Sequence, residues 1–559
     1  MSALEDLSID DAQRRVPSRT TTGDIVLASK ASNIVQHNPD QAYAGPAKRG
    51  LYRPSLADIG KRLPSTENIR ALENVHLDVG SLPSQSLHLA GSSPASFPLF
   101  ETNLPTPHNH LSRYATEFAE VKVLGRGSFG EVYHVKNHID GQPYANPYYT
   151  DLHHNLRAYV RNYVESSIAP YAQEWEAAGQ VPEPVRRRHC ELGFGIIHPL
   201  TTIEDAAGLF LPNNIPREKW DTWCSLIVAD ELIRTGYVGV IWGLGGGNNI
   251  GCPPIARFGT KEQRQRWLPK VAKGDIRCCL GITEPDAGSD VANISTTARR
   301  EGDVYVVNGA KKWITNGIWA DYCTAAVRTG GPGKGGISLL VIPLAAPGVT
   351  RRRMYNSGVH ASGSTFIELD DVRVPVDHLI GEENKGFPLI MSNFNPERLS
   401  LACASLRLAR VCAEDAFHYA TQRETFGAPL ITRQAIQSKI FKFGLMIEPA
   451  YAFMEQLVNI IELTKDRPTD DVRIGGMTAL LKVMSTRALE KSVREAQQIL
   501  GGAGYNKAGK GARIEQISRD ARVHVVGGGS EEIMMGLALQ EETKALRTRR
   551  KALEKKARL

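Results

Sequence analysis

The sequence predicts an α+β chain with a helical domain, a β-rich middle built as a barrel or sandwich, and a C-terminal four-helix bundle, all behind a disordered leader. Three observations carry that expectation. Arg398 to Arg423, Gln434 to Leu463 and Gly475 to Leu500 hold apolar residues at helical spacing, run longer than the average globular helix and are separated by short loops. Between about 279 and 380, short apolar runs alternate with Gly- and Pro-containing turns, the pattern of strands. The first 112 residues are rich in Ser, Pro, Thr and Asn without a sustained apolar period, so they bury too little to offset their ordering entropy. The boundaries that follow are 1–112 for the leader, 113–146 for a Gly-rich hairpin, 147–278 for the helical domain, 279–380 for the β domain, 381–543 for the bundle and 544–559 for a basic tail.

A chain of 559 residues is long enough for several domains and a large core. Its net charge of +7 comes without basic residues striped among aromatics, so nucleic acid is not an expected partner. The eight cysteines form no Cys-x-x-Cys pair and have no ligand spacing with His, which predicts no metal and reduced, buried thiols in an intracellular compartment. No run is long and apolar enough to span a bilayer. The acidic start, Met1-Ser2-Ala3-Leu4-Glu5-Asp6, fits neither a secretory signal nor a transit peptide. Ala557-Arg558-Leu559, after a basic stretch, resembles a variant of the Ser-Lys-Leu peroxisomal address; the alternatives are a frayed helix end and a cytoplasmic or mitochondrial location.

Taken in order, Val121 to Val135 comes first, with Gly125, Gly127 and Gly130 between two alternating strands and Val132 two residues past the third Gly. This resembles the glycine loop of a protein kinase, most like the mitosis-inhibiting (Wee-type) group. The resemblance stops at Tyr144-Ala145-Asn146-Pro147, where a Val-Ala-x-Lys strand is due, and no His-Arg-Asp or Asp-Phe-Gly follows. The fragment reads as a truncated graft.

Leu156 to Ala178 has a helical pattern broken at Ile168-Ala169-Pro170, Pro184 to Leu192 is a second helix stopped by Gly193, and Lys219 to Thr235 is a third with Trp223, Ile227 and Leu232 on its core face. Trp242-Gly243-Leu244-Gly245-Gly246-Gly247-Asn248 lacks the Lys-Ser/Thr of a phosphate loop and reads as packing glycines in a helical domain. Thr260 before Glu262 and Gln263 caps another helix, which Trp267-Leu268-Pro269 is expected to end. Strands are expected at Val304–Val307, Tyr322–Val327, Ile337–Ile342 and Ser364–Leu369.

The chemistry-bearing stretches lie in the last two domains. Leu280-Gly281-Ile282-Thr283-Glu284-Pro285 leads into a turn with Gly288 and Ser289, which offers N–H groups and hydroxyls to an anion. A strand then runs to Lys312-Trp313-Ile314-Thr315. Further on come Arg423-Glu424-Thr425-Phe426-Gly427 with Gln434, and Gln498 followed by Gly501-Gly502-Ala503-Gly504-Tyr505. In this order and spacing the stretches resemble the flavin-binding segments of the acyl-CoA dehydrogenase family, a likeness that extends from about Pro147 onward.

The resemblance implies FAD as cofactor, with Thr283 and Ser289 bonding the flavin beside Leu280, Ile282 and Gly288, Trp313 covering the ring and Thr315 reaching the hydride-accepting nitrogen. It also implies that Arg423, with Thr425, Phe426 and Gln434, meets the diphosphate of a neighbouring subunit, where an Arg makes a charge-assisted bond, while Gln498 and Gly502 meet the adenosine end. A homodimer or homotetramer follows. Many family members carry the catalytic Glu in the closing loop, but here that position is Gly528, within Asp520 to Ile533. The long-chain and isovaleryl types place it instead immediately before an Arg at the start of the first bundle helix, and this chain has Asn395-Pro396-Glu397-Arg398 there.

Glu397 is therefore assigned as general base; the alternative is a helix N-terminal carboxylate after Pro396. Gly528 keeps an N–H for the oxyanion, with a flavin ribityl hydroxyl as second donor, and Arg398 either steadies the substrate end of the pocket or pairs with a carboxylate. The implied reaction dehydrogenates an acyl-CoA to a trans-2-enoyl-CoA, with electrons passing to an electron-transfer flavoprotein or, alternatively, to oxygen. A third reading is a regulatory protein that binds nucleotide through the kinase-like segment.

Overall fold

The computed structural model describes residues 118–127, 130–137, 148–196, 210–465 and 474–557. The expected leader and the last two residues, Arg558 and Leu559, lie outside them. The Gly-rich segment forms an antiparallel pair, β1 (Phe118–Gly127) and β2 (Gly130–Asn137), in register from Phe118 opposite Asn137 to Gly127 opposite Gly130.

The helical domain follows the breaks written in its sequence. The pattern over Leu156 to Ala178 divides into α1 (Asp151–Tyr163), a π turn, a 3₁₀ turn and α2 (Ala172–Ala178), with Pro170 in the 3₁₀ turn where the chain is reset. After α3 (Glu183–His189), Gly193 adopts φ +89°; a Cβ there would lie 2.7 Å from the Leu211 backbone carbon, so only Gly fits. Asp221 caps α4 (Thr222–Ile233) by accepting from the Cys224 N–H at 2.8 Å. The Gly-rich run is helical, α5 (Val238–Gly251), and the missing side chain of Gly247 lets the Cys278 carbonyl lie 2.6 Å from where its Cβ would be. After α6 (Pro253–Phe258), α7 (Lys261–Lys273) opens with the expected Thr260/Gln263 capping box. It does not end at Pro269. The proline sits inside the helix, and Gly274 at φ +79° provides the C-cap.

The β domain is one hydrogen-bonded sheet made of two halves. In one, β10 (Leu379–Ile380), β7 (Ile337–Pro343), β6 (Tyr322–Arg328) and β3 (Cys278–Gly281) lie side by side; in the other, β4 (Thr297–Glu301), β5 (Val304–Ile314), β9 (Thr365–Pro375) and β8 (Val349–Arg353) do. The halves join through the single pair Thr297–Arg328. Tyr305, Val307, Ala325, Leu340, Ile367 and Val374 from both halves close a shared core, the sandwich arrangement.

The bundle begins earlier than its pattern suggests. The first long helix, α8 (Gly386–Gln422), passes through Pro396, whose missing N–H strands the Ser392 carbonyl; Arg257 of α6 donates to that carbonyl at 3.3 Å. After the short pair β11 (Glu424–Thr425) and β12 (Ala428–Pro429) come α9 (Gln434–Thr464), α10 (Ile474–Leu500), α11 (Ala512–Val526) and α12 (Glu531–Ala557). The expected basic tail is helical to Ala557. Helix α10 sits at the centre, against α8, α9, α11 and α12. A buried Arg407–Asp230 pair ties α8 to α4. Glu176 of α2 accepts from the N–H groups of His360 and Ala361, and Asp520 of α11 accepts from Val359, so one loop fastens helices of two domains. No helix among the described residues is long and apolar enough to cross a membrane.

Candidate active site

Glu397 lies in the interior of α8, eleven residues after its first residue Gly386, so it is not at the head of a helix as its Pro396 neighbour suggests. That location removes the helix-dipole reading of its carboxylate, because the dipole acts only within the first turn. One carboxylate oxygen, Oε2, is shut away from solvent with no hydrogen-bond partner among the described residues. Burial therefore pushes Glu397 up to about 7, against the smaller opposing pull of the Arg398 charge.

Arg398 does not neutralise its neighbour. Its Nε donates to the Gly528 carbonyl at 3.0 Å and its Nη1 to Asn395 Oδ1 at 3.1 Å, with the guanidinium over the Phe394 ring. The structure thus gives Arg398 the role of holding the glycine turn. A second cation does the same from α10: Lys482 Nζ, fully buried, donates to the carbonyls of Val525 and Gly529, each at 2.6 Å. Burial, helped by the Arg398 charge, lowers Lys482 to about 8. With its carbonyls taken, the turn keeps Gly528 at φ +66°, and the Gly528 N–H donates to nothing among the described residues. A Cβ at Gly528 would lie 2.7 Å from Leu401 Cδ1, so the turn admits no larger residue there without displacing Leu401.

The Thr283 turn is pinned from within. Lys311, buried on β5, donates to Glu284 Oε1 at 2.8 Å, to the Ile282 carbonyl at 3.3 Å and to the Ala326 carbonyl at 2.6 Å. Glu284 also accepts from the N–H groups of Ser295 and Thr296. Burial favours its protonation, but the Lys311 charge and these hydrogen bonds outweigh it and hold Glu284 at about 2. Lys312 N–H donates to the Thr283 carbonyl at 2.9 Å, so the turn and the end of β5 form one unit. Leu280 is the penultimate residue of β3, just before it. Gly288 and Ser289 are exposed, with nothing within 4 Å of a Cβ on Gly288. Trp313 adopts φ +65° at a bulge in β5 and leaves its ring 53% exposed, while Thr315 is half-buried beside Gly246 of α5.

The second group of expected residues stands on the bundle. Arg423 is exposed at the C-cap of α8 and lines a cleft of about 510 Å³ with Tyr419, Gln422, Glu424, Ala503 and Lys510. Thr425 is in β11, and Phe426 at φ +53° is 97% exposed. Gln434 opens α9, and Gln498 and Gly502 are exposed around the end of α10, with nothing within 4 Å of a Cβ on Gly502. The structure brings Arg423 and the Gly501–Gly504 turn to one cleft. Both groups fit a large, flat, anionic cofactor: an uncovered indole and a phenyl ring for stacking, an outward guanidinium for phosphate, and glycines with open space above them.

These features agree with the comparisons. Residues 150–275, 279–372 and 384–541 match the N-terminal, middle and C-terminal domain models of acyl-CoA dehydrogenase. A curated relative, acyl-CoA dehydrogenase AFT10-1 of Alternaria alternata, is 47% identical over 71% of this chain and 93% of its own length.

The chain belongs to the acyl-CoA dehydrogenase family.

It is accordingly an FAD-dependent oxidoreductase. The crystal structure of an acyl-CoA dehydrogenase from Geobacillus kaustophilus is 33% identical and covers 71% of this chain and 99% of its own, with a TM-score of 0.63. A glutaryl-CoA dehydrogenase from Mycobacterium smegmatis, solved in complex with FADH2, is 25% identical, with a TM-score of 0.60 and coverage of 70% and 95%. The matched family models begin at residue 150, so β1 and β2 lie outside them and the kinase resemblance gains no support.

Sequence reasoning missed Lys482, which holds the Gly528 turn, and Lys311, which holds the Thr283 turn. Each is a lysine that ends up buried, on an element whose other inward residues are mostly apolar or small, and that mismatch was the available signal. His153, Asp221 and Cys224 also converge, yet they make no cation site as arranged. Thr150 N–H donates to His153 Nδ1 at 3.0 Å, so Nε2 carries the proton and donates it to Asp221. All eight cysteines are free and buried.

Proposed function

We propose that this chain dehydrogenates an acyl-CoA thioester between its α and β carbons to give the trans-2-enoyl-CoA, with Glu397 as general base. The observation that carries the reading is the Glu397 carboxylate, whose enclosed Oε2 meets no hydrogen-bond partner among the described residues and whose pKa is raised to about 7. A base for a carbon acid works best when its pKa sits near the working pH and no cation holds it. Glu397 meets both conditions because Arg398 is committed to Gly528 and Asn395.

In this reading Glu397 takes a proton from the carbon next to the thioester, and the electron pair left behind is stabilised as charge on the thioester oxygen. The Gly528 N–H, which donates to nothing among the described residues in a turn held by Arg398 and Lys482, is the donor for that oxygen. Bound FAD supplies the hydride acceptor for the β carbon. Thr283, Ser289, Trp313 and Thr315 hold the flavin end, while Arg423, Phe426, Gln434 and Gly502 serve the cofactor of a second copy, so the working unit is at least a dimer. An electron-transfer flavoprotein takes the electrons onward; hydrogen peroxide formed in step with enoyl-CoA in air would assign them to oxygen instead. The kinase-like hairpin has no part in this function. The experiment is anaerobic mixing of the yellow holoenzyme with acyl-CoA thioesters. Bleaching in the native protein and its loss in Glu397→Gln is the expected result, and near-native bleaching in the variant rejects the assignment.

A further inference from the structure

The last helix, α12, carries a pattern that the candidate site does not use. Leu539, Leu546 and Leu553 recur at intervals of seven residues and are 70%, 60% and 67% exposed. Seven residues are about two helical turns, so the three side chains share one face. A different face binds the bundle. Met534 is fully buried, Leu537 and Ala538 pack with it against Ala479 and Val483 of α10, and Glu541 Cβ lies 3.0 Å from where a Cβ on Gly476 would be. With the leucines at position d of a heptad, these bundle-facing residues fall at b, c and f, on the side away from an a/d seam. Helix α12 is thus anchored by one side of its opening turns, while its leucine stripe stays uncovered by the rest of the described chain. The matched C-terminal family domain stops at residue 541, so the helix from Glu542 to Ala557 lies beyond it.

The width of the stripe and the charges beside it point to one occupant. Thr543 and Arg550 stand within the stripe between successive leucines and Glu542 stands at its edge, whereas a helix lying in a lipid surface needs a broad apolar face. One narrow line of leucines every seventh residue is instead the seam of a coiled coil, and Leu at d favours two strands. In a parallel pair, position g of one helix meets position e of the other, five residues further on. Here those residues are Glu542 and Arg547, then Arg549 and Glu554, opposite in sign both times. Residues five apart on one helix do not face each other, so that pairing is open only to a second copy. Arg550 falls at position a, and its Nε donates to Glu554 Oε1 at 2.9 Å on the same helix, which offsets its charge in that layer. A single polar residue at a fixes the register at some cost in stability.

We propose that α12 pairs in parallel with α12 of a second copy of this chain, with Leu539, Leu546 and Leu553 forming the d layers of a two-stranded coiled coil. This surface is separate from the Arg423 cleft, which none of these residues lines. About two and a half heptads are marginal for free peptides, whose helices must first be ordered. In this chain the contact with α10 already holds the start of the helix, so pairing carries less of that entropy cost.

The test places single cysteines in the full-length holoenzyme, whose eight native cysteines are all buried. A parallel pair sets each d residue against its own copy, so Leu539→Cys and Leu553→Cys should each give a disulfide-linked dimer under mild oxidation. Pairing raises the local thiol concentration from micromolar toward millimolar, so both should cross-link at least about tenfold faster than Thr548→Cys at position f. Adding Arg547→Glu to Leu546→Cys should slow its cross-linking, and adding Glu542→Arg as well should restore it, a rescue that a merely unfolded helix would not show. Native flavin content in each variant reports an intact fold. Cross-linking no faster at the leucine positions than at Thr548, or a charge reversal without rescue, overturns the proposal. So does binding of the native chain to phosphatidylserine–phosphatidylcholine vesicles that Leu546→Glu abolishes, in the absence of leucine-position cross-linking, which would assign the stripe to an anionic bilayer.

Discussion

Replacing Glu397 by Gln tests the base most directly, because the amide keeps the shape and removes the proton acceptor. The native carboxyl is raised from 4.5 to about 7, so its folded-state pKa lies above its unfolded value. The sign of the linkage follows. The proton bound to Glu397 stabilises the fold fully below about pH 4.5, and that contribution is lost as pH rises through 7. A gap of about 2.5 units corresponds at most to something on the order of 3 kcal/mol of destabilisation at alkaline pH. Glu397→Gln should therefore melt at a higher temperature than the native chain at pH 9, and the advantage should vanish toward pH 4.5. Flavin reduction should move the other way. In the native enzyme the reduction rate climbs through about pH 7 as the carboxylate forms, whereas in the variant it should fall by about 10²–10⁴-fold and lose that dependence. The assays are stopped-flow bleaching under nitrogen and thermal melts across the same pH series. A variant that keeps more than about a tenth of the native rate lies outside the range for a lost general base and would refute the reasoning. A stability difference that ignores pH would remove the premise of a buried, unpaired carboxyl.

Other perturbations follow from the same geometry. Gly528→Ala places a Cβ 2.7 Å from Leu401 Cδ1 at φ +66°; it should cost about 1–3 kcal/mol, read as a drop in melting temperature, together with most of the turnover. Arg423→Ala should leave the far-ultraviolet circular dichroism unchanged but release FAD, weakening its affinity by about tenfold to a hundredfold in a fluorescence titration. Lys311→Met leaves Glu284 buried without its cation and frees the Ile282 carbonyl; it should destabilise by about 3–5 kcal/mol, with colourless protein on purification, and a yellow, native-melting variant would show the pair to be dispensable.

What could be read from the chain, and what could not, divides by whether a feature is local. The stretches that suggest a flavin site are each contiguous in sequence, and their Trp313, Arg423 and Gly502 are exposed while Thr283 is half-buried. The capping box at Thr260 and the Asp221 cap likewise involve residues three apart. The start of α8 was not legible, because Pro396 reads locally as a helix beginning and the Arg257 group that satisfies the stranded Ser392 carbonyl lies 135 positions before that residue. Strand β4 reads Thr297-Ala298-Arg299-Arg300-Glu301, too polar to announce itself, and gains its pairing from β5. Lys482 is a single charged residue within a long helix; its significance comes from α10 packing beside the glycine turn, a contact that no local pattern encodes.

The placement of the acid and the emptiness of the closing turn are two sides of one packing decision. Leu401 occupies the space that any side chain at position 528 would need. Leu401 also lies one turn after Glu397 on the same face of α8, so the residue that excludes an acid from the turn brings its own helix, with a carboxylate one turn away, toward the vacated side. The turn cannot hold its shape through a side chain of its own. It is held instead by Arg398 and Lys482 on its carbonyls, and the Gly528 N–H donates to nothing among the described residues. Because Arg398 is spent on the turn, it does not quench Glu397, and the carboxyl keeps the raised pKa that proton abstraction near neutral pH requires. An acid at position 528 would thus demand displacement of Leu401 and a turn no longer held by Arg398, and for that reason a single Gly528→Glu exchange should damage this site and leave it without a second working base.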